Sequence, residues 1–585
     1  MFVGALRHNL GPSSPQHNRL GIFVLNNSAN QLDSQRTSLA NAGAIVASID
    51  VLFRSVVSRV KESLGGDTST ERLDSMQIVS YELAMLSADI FAAESILRYA
   101  ERCAKGVPDS SFEISLACCC TAEAIGKTRS RFEKIKYSVG IDEQSLVGVY
   151  SSAVAHDFLR QYLDPQLIAE AGHEAISRAG FGRSLLDEDK EIIAASFARF
   201  SDEVVAPLAE KIHRSDLTVP EEILTPLREM GCFGLSIPER FGGTSPNSGE
   251  DHLAMVVVTQ ELSRASLAAA GSLITRPEIM GKAIYHGGTE EQKAKWLPRI
   301  AAGDPLCAIA VTEPDAGSDV AAMRFKATRT DNGWLLNGSK TWSTFAGKSG
   351  ILLVLARTRS DPSLGHKGLS LFIVEKPSTD EKEFTFTQPS GGKLEGAAIP
   401  TIGYRGMHSF TLFFDDWFVP NENLIGGDDA EGRGFYLTMK AFAGGRLQTA
   451  ARANGLMRAA FEQTLQYAQA RRVFGKALSE YQLSLAKIAQ MAWNLRACHE
   501  MTVRVAELMD EGHGQIEASL VKLYACRAAE SVTREAVQIH GGMGYSEETP
   551  VSRYYVDARV LSIFEGAEET LALKVVAKEL LTRAD

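Results

Sequence analysis

Val311-Thr-Glu-Pro-Asp-Ala-Gly-Ser-Asp319 stands where the character of the chain changes. Upstream, residues 187–305 carry apolar side chains at helical spacing, as in Ile192 to Ile212 and Leu253 to Ala269. Downstream, residues 306–427 break into short β runs: Trp334-Leu-Leu-Asn-Gly-Ser-Lys, Ile351-Leu-Leu-Val-Leu-Ala-Arg, Leu369-Ser-Leu-Phe-Ile-Val-Glu and Phe410-Thr-Leu-Phe-Phe. Asn332-Gly and Asn337-Gly are predicted turns between them. From 434 to 585 long helical patterns return, the clearest over 446–470, 482–507 and 516–540, the last stopped by Gly541-Gly542. Strands gathered between helical regions, rather than alternating with helices, predict a β-barrel or sandwich domain in an α+β multidomain chain. The loop itself would present backbone N–H groups and the hydroxyls of Thr312 and Ser318 to a ligand. The same residue types also favour an ordinary capped loop.

Ahead of this core, residues 31–180 read as an extra α-helical bundle, preceded by a flexible leader over 1–30. The bundle has no clustered His, Asp or Glu, so an assembly role is expected of it rather than a catalytic one. At 585 residues the chain exceeds one ordinary core, and 45% hydrophobic with 23% charged residues is the composition of a soluble globular protein. A net charge of −11 counts against nucleic-acid binding. The eight Cys show no paired spacing, and Cys118-Cys119-Cys120 must point different ways on a helix. That argues against a metal site and fits a reducing cytoplasm. No stretch is read as long and apolar enough to span a bilayer.

Several motif searches fail. No Gly-x-Gly-x-x-Gly follows a strand, and Gly347-Lys348-Ser349 lacks the earlier Gly of a phosphate-binding loop, with Trp342 in its place. Near the C-terminus, Val560-Leu-Ser-Ile-Phe-Glu565-Gly-Ala-Glu-Glu569 ends an apolar run in one carboxylate. Poor solvation there predicts a raised Glu565 pKa, suited to a general base near neutrality. A salt-bridged Glu at a buried helix end is the alternative. Gly566 would let backbone approach a ligand closely.

Taken in order, the loop Ile309 to Ser318, Lys340-Thr-Trp-Ser-Thr344, Ala470-Arg-Arg-Val-Phe-Gly475, Gln538-Ile-His-Gly-Gly-Met-Gly-Tyr545 and the Glu565 stretch resemble the acyl-CoA dehydrogenase family of flavoproteins. The resemblance runs from about Asp187 to the C-terminus. It implies an N-terminal α domain (187–305), a middle β domain (306–427), a C-terminal four-helix-bundle domain (434–585), and FAD as cofactor. It implies that Ile309, Val311, Thr312 and Ser318 wrap the flavin ring, with Trp342, Ser343 and Thr344 on its other side. Arg471, Gln538, Gly541 and Gly542 are implied to grip the FAD pyrophosphate from a neighbouring subunit, hence at least a dimer, and Phe474 is a further implied cofactor contact. Ala567 and Glu569 are further implied cofactor contacts, and Ser318, Arg446 and Gly566 implied substrate contacts. Glu565 matches the catalytic base, and the other base position known in the family holds Gly445, which cannot serve. The implied reaction is α,β-dehydrogenation of a CoA thioester, with enolate charge taken by the base residue's own N–H and a flavin hydroxyl. Electron-transfer flavoprotein is the implied acceptor. Ala567 replaces the usual Thr, and Thr570-Leu571 the usual Ile-Gln.

Gly403-Tyr-Arg-Gly-Met407, Ile563-Phe-Glu-Gly-Ala567 and Gly271-Ser-Leu-Ile-Thr-Arg276 resemble the branch of the family that turns methylsuccinyl-CoA into mesaconyl-CoA in the ethylmalonyl-CoA pathway. That branch also carries an added helical domain. A substrate ending in a carboxylate needs a cationic pocket end, since an unpaired buried carboxylate is costly. Arg276 is the expected partner; a surface Arg beside Pro277 is the plainer reading. Ala270 stands where glutaryl-CoA dehydrogenases carry their carboxylate-binding Arg. The bundle also resembles the extension of very-long-chain acyl-CoA dehydrogenases, which implies a homodimer. Other readings are an acyl-CoA dehydrogenase for another short branched or long chain, an O₂-using oxidase, and a flavin-bearing nucleic-acid-binding relative.

Overall fold

The computed structural model describes residues 16–106 and 109–583. Of the expected leader, residues 1–15 lie outside the described residues, while helix starts at Gln16 and runs unbroken to Ser63, across the expected boundary at 31. Helices Gln77–Gly106 and Ser111–Val139 complete the centre of the bundle. Cys118, Cys119 and Cys120 do point different ways, yet all three are buried. The reason is that helix Ser111–Val139 is enclosed, by the two preceding helices on one side and by helix Gln482–Asp510 of the C-terminal region on another.

Contrary to the sequence reading, one helix among the described residues, Ser34–Ser63, is long and apolar enough by length and composition to cross a membrane. Its apolar stripe Ile45, Ile49, Phe53, Val56, Val57 and Val60 is buried in the bundle core, the pattern of an amphipathic helix packed on its neighbours.

The bundle and the C-terminal helices share one continuous apolar core. The Arg496 guanidinium lies between the rings of Tyr99 and Phe181, 4.5 and 4.6 Å from their centroids. Trp493 Nε1 donates to Glu123 at 2.8 Å. Gly172 crosses so close to Leu485 that a Cβ there would sit 2.1 Å from its carbonyl oxygen. Deleting residues 1–180 is therefore expected to give an aggregated chain rather than a free dehydrogenase core. Gel filtration of that truncation checks this, and a monodisperse, folded product would contradict it.

The middle domain is a single sheet of eight strands: β1 (Cys307–Ala310), β2 (Lys326–Arg329), β3 (Gly333–Thr344), β4 (Ile351–Arg357), β5 (Leu369–Glu375), β6 (Glu383–Thr387), β7 (Lys393–Ile399) and β8 (Ser409–Pro420). β4 joins β1 in parallel and β5 antiparallel, and touches β2 only at Arg357, so the sheet folds over on itself. Leu352 and Val354 then face Phe325, Trp334, Leu336 and Phe414, the sandwich arrangement expected. The opposite face of β4, with Leu353 and Leu355, packs against Ile279 and Met280 of helix Thr275–Gly287. Burial on both faces explains why β4 is apolar from Ile351 to Ala356.

Asn337-Gly is not a turn. It lies inside β3 at a register shift opposite β8, with Gly338 at φ +124°. The Asn337 side chain bonds Asp416 across the bulge, both accepting from its N–H and donating to its carboxylate. The residues that make a tight hairpin also make a bulge, and pairing on both sides decides which. Helix Gly434–Ala470 likewise starts twelve residues ahead of the predicted 446, because its first turns are held by β5: a Cβ on Gly434 would meet Ser370 backbone at 2.5 Å.

Candidate active site

Three elements converge on Glu565. Helix Val551–Leu561 ends just before it, leaving Glu565 in the left-handed region (φ +53°) and Gly566 at φ +101°. Gly566 has a packing reason beyond ligand access: a Cβ there would come 2.8 Å from the Leu571 side chain. From helix Gly434–Ala470, Gly445, Thr449 and Arg452 form an i, i+4, i+7 stripe that faces the carboxylate. Thr449 hydroxyl donates to Glu565 Oε2 at 2.6 Å and Arg452 donates to the same oxygen at 2.7 Å. A Cβ on Gly445 would lie 3.4 Å from that oxygen, so the alternative base position of the family falls beside Glu565 in space.

The third element is helix Thr275–Gly287. Arg276 is buried, not a surface residue, and donates to the Ser272 carbonyl at 2.7 Å and to Tyr404 Oη at 3.2 Å. Arg452 donates to the hydroxyl of the same Ser272 at 3.2 Å and lies 4.7 Å from the Phe564 ring centroid. Tyr404, at φ +58°, is fixed by its N–H to Asp557 at 2.6 Å and by an edge contact with Phe564. Two guanidiniums thus flank Ser272, one paired with Glu565 and the other without a carboxylate partner among the described residues.

The expected upward shift of the Glu565 pKa is overturned. Burial alone pushes the carboxyl up, but Arg452, then Arg276, then the Thr449 hydrogen bond outweigh it and hold the group below its ordinary value. The salt-bridged reading holds: the carboxylate is paired with Arg452 through Oε2, and Oε1 has no hydrogen bond among the described residues. A base held low stays ionised into acid, so the acid limb of the kcat/KM profile is expected below the ordinary Glu range. Arg452→Met removes the largest stabiliser of the charged form and should move that limb to higher pH. A limb that stays in place would show that Arg452 does not set the ionisation of the base.

The quoted loop is locked from below. Lys340 of β3, fully buried, donates to the Val311 carbonyl at 2.9 Å and to Glu313 at 3.0 Å, and Glu313 accepts the N–H groups of Arg324 and Phe325. Thr341 N–H donates to the Thr312 carbonyl at 2.9 Å, which ties the loop beside the Trp342 segment. Ser318 Oγ accepts from Thr570 at 3.0 Å, bringing the loop to the chain just after Glu565. Ile309 and Val311 form the floor, Thr312 is half-buried, and Ser318 is exposed. Trp342 stands 56% exposed at φ +56°, while the next residue's hydroxyl, Ser343 Oγ, is buried with no partner among the described residues. Thr344 turns its hydroxyl to Ser409 at 2.9 Å. An exposed ring and an orphaned buried hydroxyl on the segment tied to the Thr312 loop fit the flavin of FAD.

Arg471, Phe474, Gln538, Gly541 and Gly542 form a second, distant group. They lie together because Tyr467 stacks on His540 with centroids 4.2 Å apart, joining the ends of their two helices. All five are exposed, Phe474 at 98%, and Gly541 has open space around it, so they can serve a site on another molecule. Ala567 is the cap residue of the short helix Glu568–Thr570 and Glu569 lies within it, while Arg446 donates to Ser519 at 3.2 Å. Sequence reasoning missed Thr449, Arg452 and Tyr404, and also Lys522 of helix Gln515–His540, which donates to the Phe564 carbonyl at 2.7 Å. A lone cation in Thr449-Ala-Ala-Arg-Ala-Asn-Gly455, amid small residues, is the signal that could have found Arg452.

Residues 187–304, 308–417 and 432–581 match the N-terminal, middle and C-terminal domains of acyl-CoA dehydrogenases. (2S)-Methylsuccinyl-CoA dehydrogenase of Cereibacter sphaeroides is 43% identical over 408 residues, 69% of this chain and 72% of that one. The butyryl-CoA dehydrogenase structure from Megasphaera elsdenii has a TM-score of 0.62 at 32% identity, covering 68% of this chain and 100% of the other. A glutaryl-CoA dehydrogenase from Mycobacterium smegmatis, solved in complex with FADH2, has a TM-score of 0.60 at 28% identity over 68% of this chain and 96% of its own. With its three matched domains, the chain belongs to the acyl-CoA dehydrogenase family of FAD-dependent oxidoreductases.

Proposed function

We propose that the chain dehydrogenates a short, branched dicarboxylic acyl-CoA, with (2S)-methylsuccinyl-CoA as substrate and mesaconyl-CoA as product. The observation that carries this reading is the Arg276 guanidinium, buried beside Glu565 with a carbonyl and a phenol as its hydrogen-bond partners among the described residues. A buried cation without an anion is costly, and a substrate carboxylate relieves that cost. Arg446, Arg452 and Lys522 add to the same excess around the single carboxylate of Glu565. In a succinyl skeleton the distal carboxylate is bonded directly to Cβ, so its partner must stand close to the base that works at Cα. Arg276 and Arg452, both on Ser272, meet that requirement. The 43% identity to a methylsuccinyl-CoA dehydrogenase supports the same reading.

In this chemistry Glu565 Oε1 takes the α-proton while Arg452 and Thr449 hold Oε2. FAD, when bound, supplies the acceptor for the β-hydride, and an electron-transfer flavoprotein then takes the electrons. The exposed Phe474 and Gly541 group serves the cofactor of a second copy, in a homodimer whose further assembly the bundle prevents. Incubation with methylsuccinyl-CoA and an artificial electron acceptor should yield a thioester lighter by two hydrogens. An unchanged thioester, with butyryl-CoA oxidised instead, would favour a monocarboxylic substrate.

A further inference from the structure

Lys522, on helix Gln515–His540, is almost fully buried yet makes no carboxylate pair among the described residues. Its ammonium donates to the carbonyls of Phe564, at 2.7 Å, and of Gly566. These two carbonyls belong to the peptides on either side of Glu565 and Gly566. In a trans peptide the C=O and N–H point in opposite directions. With both carbonyls drawn to Lys522, the N–H groups of Glu565 and Ala567 face away from it. Neither they nor the N–H of Gly566 donates to any acceptor among the described residues. Consecutive free N–H groups in a chain at positive φ form a concavity for an anion. Here it lies beside a carboxylate that removes a proton and so leaves negative charge on the substrate.

We infer that Lys522 is a positioning residue for enolate stabilisation: it fixes the Phe564–Glu565 peptide so that the Glu565 N–H meets the thioester oxygen, and its charge polarises that amide. The inference rests on the acyl-CoA dehydrogenation reading. Lys522 touches neither substrate nor proton. A cation on a carbonyl draws electron density from the attached N–H and makes it the stronger donor, in a site where fixed dipoles need no reorganisation. It also holds Glu565 in its left-handed conformation, which a side chain other than Gly adopts only when its surroundings impose it.

Acetoacetyl-CoA tests this without turnover, because its α-proton is acidic and its enolate has an absorption band of its own. The wild-type holoenzyme should ionise bound acetoacetyl-CoA well below the pH at which the free thioester ionises. Lys522→Met and Lys522→Gln should raise that pH by about 1 to 2 units, part of the roughly 2 to 3 units that loss of a whole oxyanion donor, 10²–10³ in rate, would correspond to. FAD content and the affinity for the neutral ligand at low pH should stay near wild type, and Lys522→Arg, which keeps the charge, should restore the ionisation. If Lys522→Gln ionises the ligand as wild type does, the charge is not used and the inference is overturned. Should the neutral variants fail to hold FAD, Lys522→Arg decides alone: folded with FAD but unable to ionise the ligand, it contradicts the inference. A wild-type enzyme that leaves acetoacetyl-CoA un-ionised would instead contradict the dehydrogenation reading itself.

Discussion

Glu565→Gln is expected to lower turnover by about 10³- to 10⁴-fold, the upper part of the range for removing a positioned general base. The amide keeps the size of the carboxylate and can still accept from Arg452 and Thr449 through its oxygen, so the loop at positive φ keeps its packing. What it loses is the free Oε1 that takes the proton. FAD content and substrate affinity should therefore change little, and a substrate that binds without reducing the flavin is the expected signature in stopped flow. Gly445 sharpens this expectation, since the nearest place from which another side chain could act holds none, and a Cβ there already sits 3.4 Å from Oε2. A Gln variant within tenfold of wild type would move the proton-abstracting role elsewhere.

The second large effect is in specificity. Arg276→Ala should reduce kcat/KM for methylsuccinyl-CoA by about 10²- to 10³-fold, the scale for truncating one partner of a buried charge pair, and change butyryl-CoA oxidation by less than about fivefold. The asymmetry follows from the site: among the described residues Arg276 bonds Ser272 and Tyr404 and no carboxylate, so its loss breaks no ion pair there. Arg452 is the poorer test of specificity, because Glu565 depends on it as well. A dicarboxylic ligand also draws on the field of both guanidiniums, which relaxes their hold on Glu565 and lets burial push the base upward. A neutral acyl-CoA leaves the base as the free enzyme has it. Equal losses for both substrates would remove Arg276 from carboxylate recognition.

Much of this was legible before the fold. β4 and β5 occupy the residues read from their apolar runs, because burial on both faces writes a continuous hydrophobic signal. Glu565 was singled out as a candidate from an apolar run that ends in one carboxylate, and its base role rests on the family resemblance of the upstream flavin motifs and on Gly445. Asn337-Gly was misread because local chemistry does not distinguish a hairpin from a bulge, and only pairing with β8 does. The direction of the Glu565 pKa was misread for a related reason. Its neighbours in sequence are apolar, whereas its neighbours in space, Arg452, Thr449 and Arg276, come from 113, 116 and 289 residues away. Arg276 was legible as a candidate, but its burial and its bond to Tyr404 come from the docking of helix Thr275–Gly287 on the β sheet. The sharing of one core by the bundle and the C-terminal helices left no local signature, since a helix apolar all round looks the same whatever it packs against.

Anaerobic titration of the holoenzyme with methylsuccinyl-CoA, ethylmalonyl-CoA, glutaryl-CoA and butyryl-CoA, following loss of flavin absorbance, tests the central claim most directly. Bleaching is expected at near-stoichiometric methylsuccinyl-CoA and only weakly with the others, with the preference lost in Arg276→Ala. Equal or stronger bleaching by butyryl-CoA would contradict a site built around the substrate's second carboxylate.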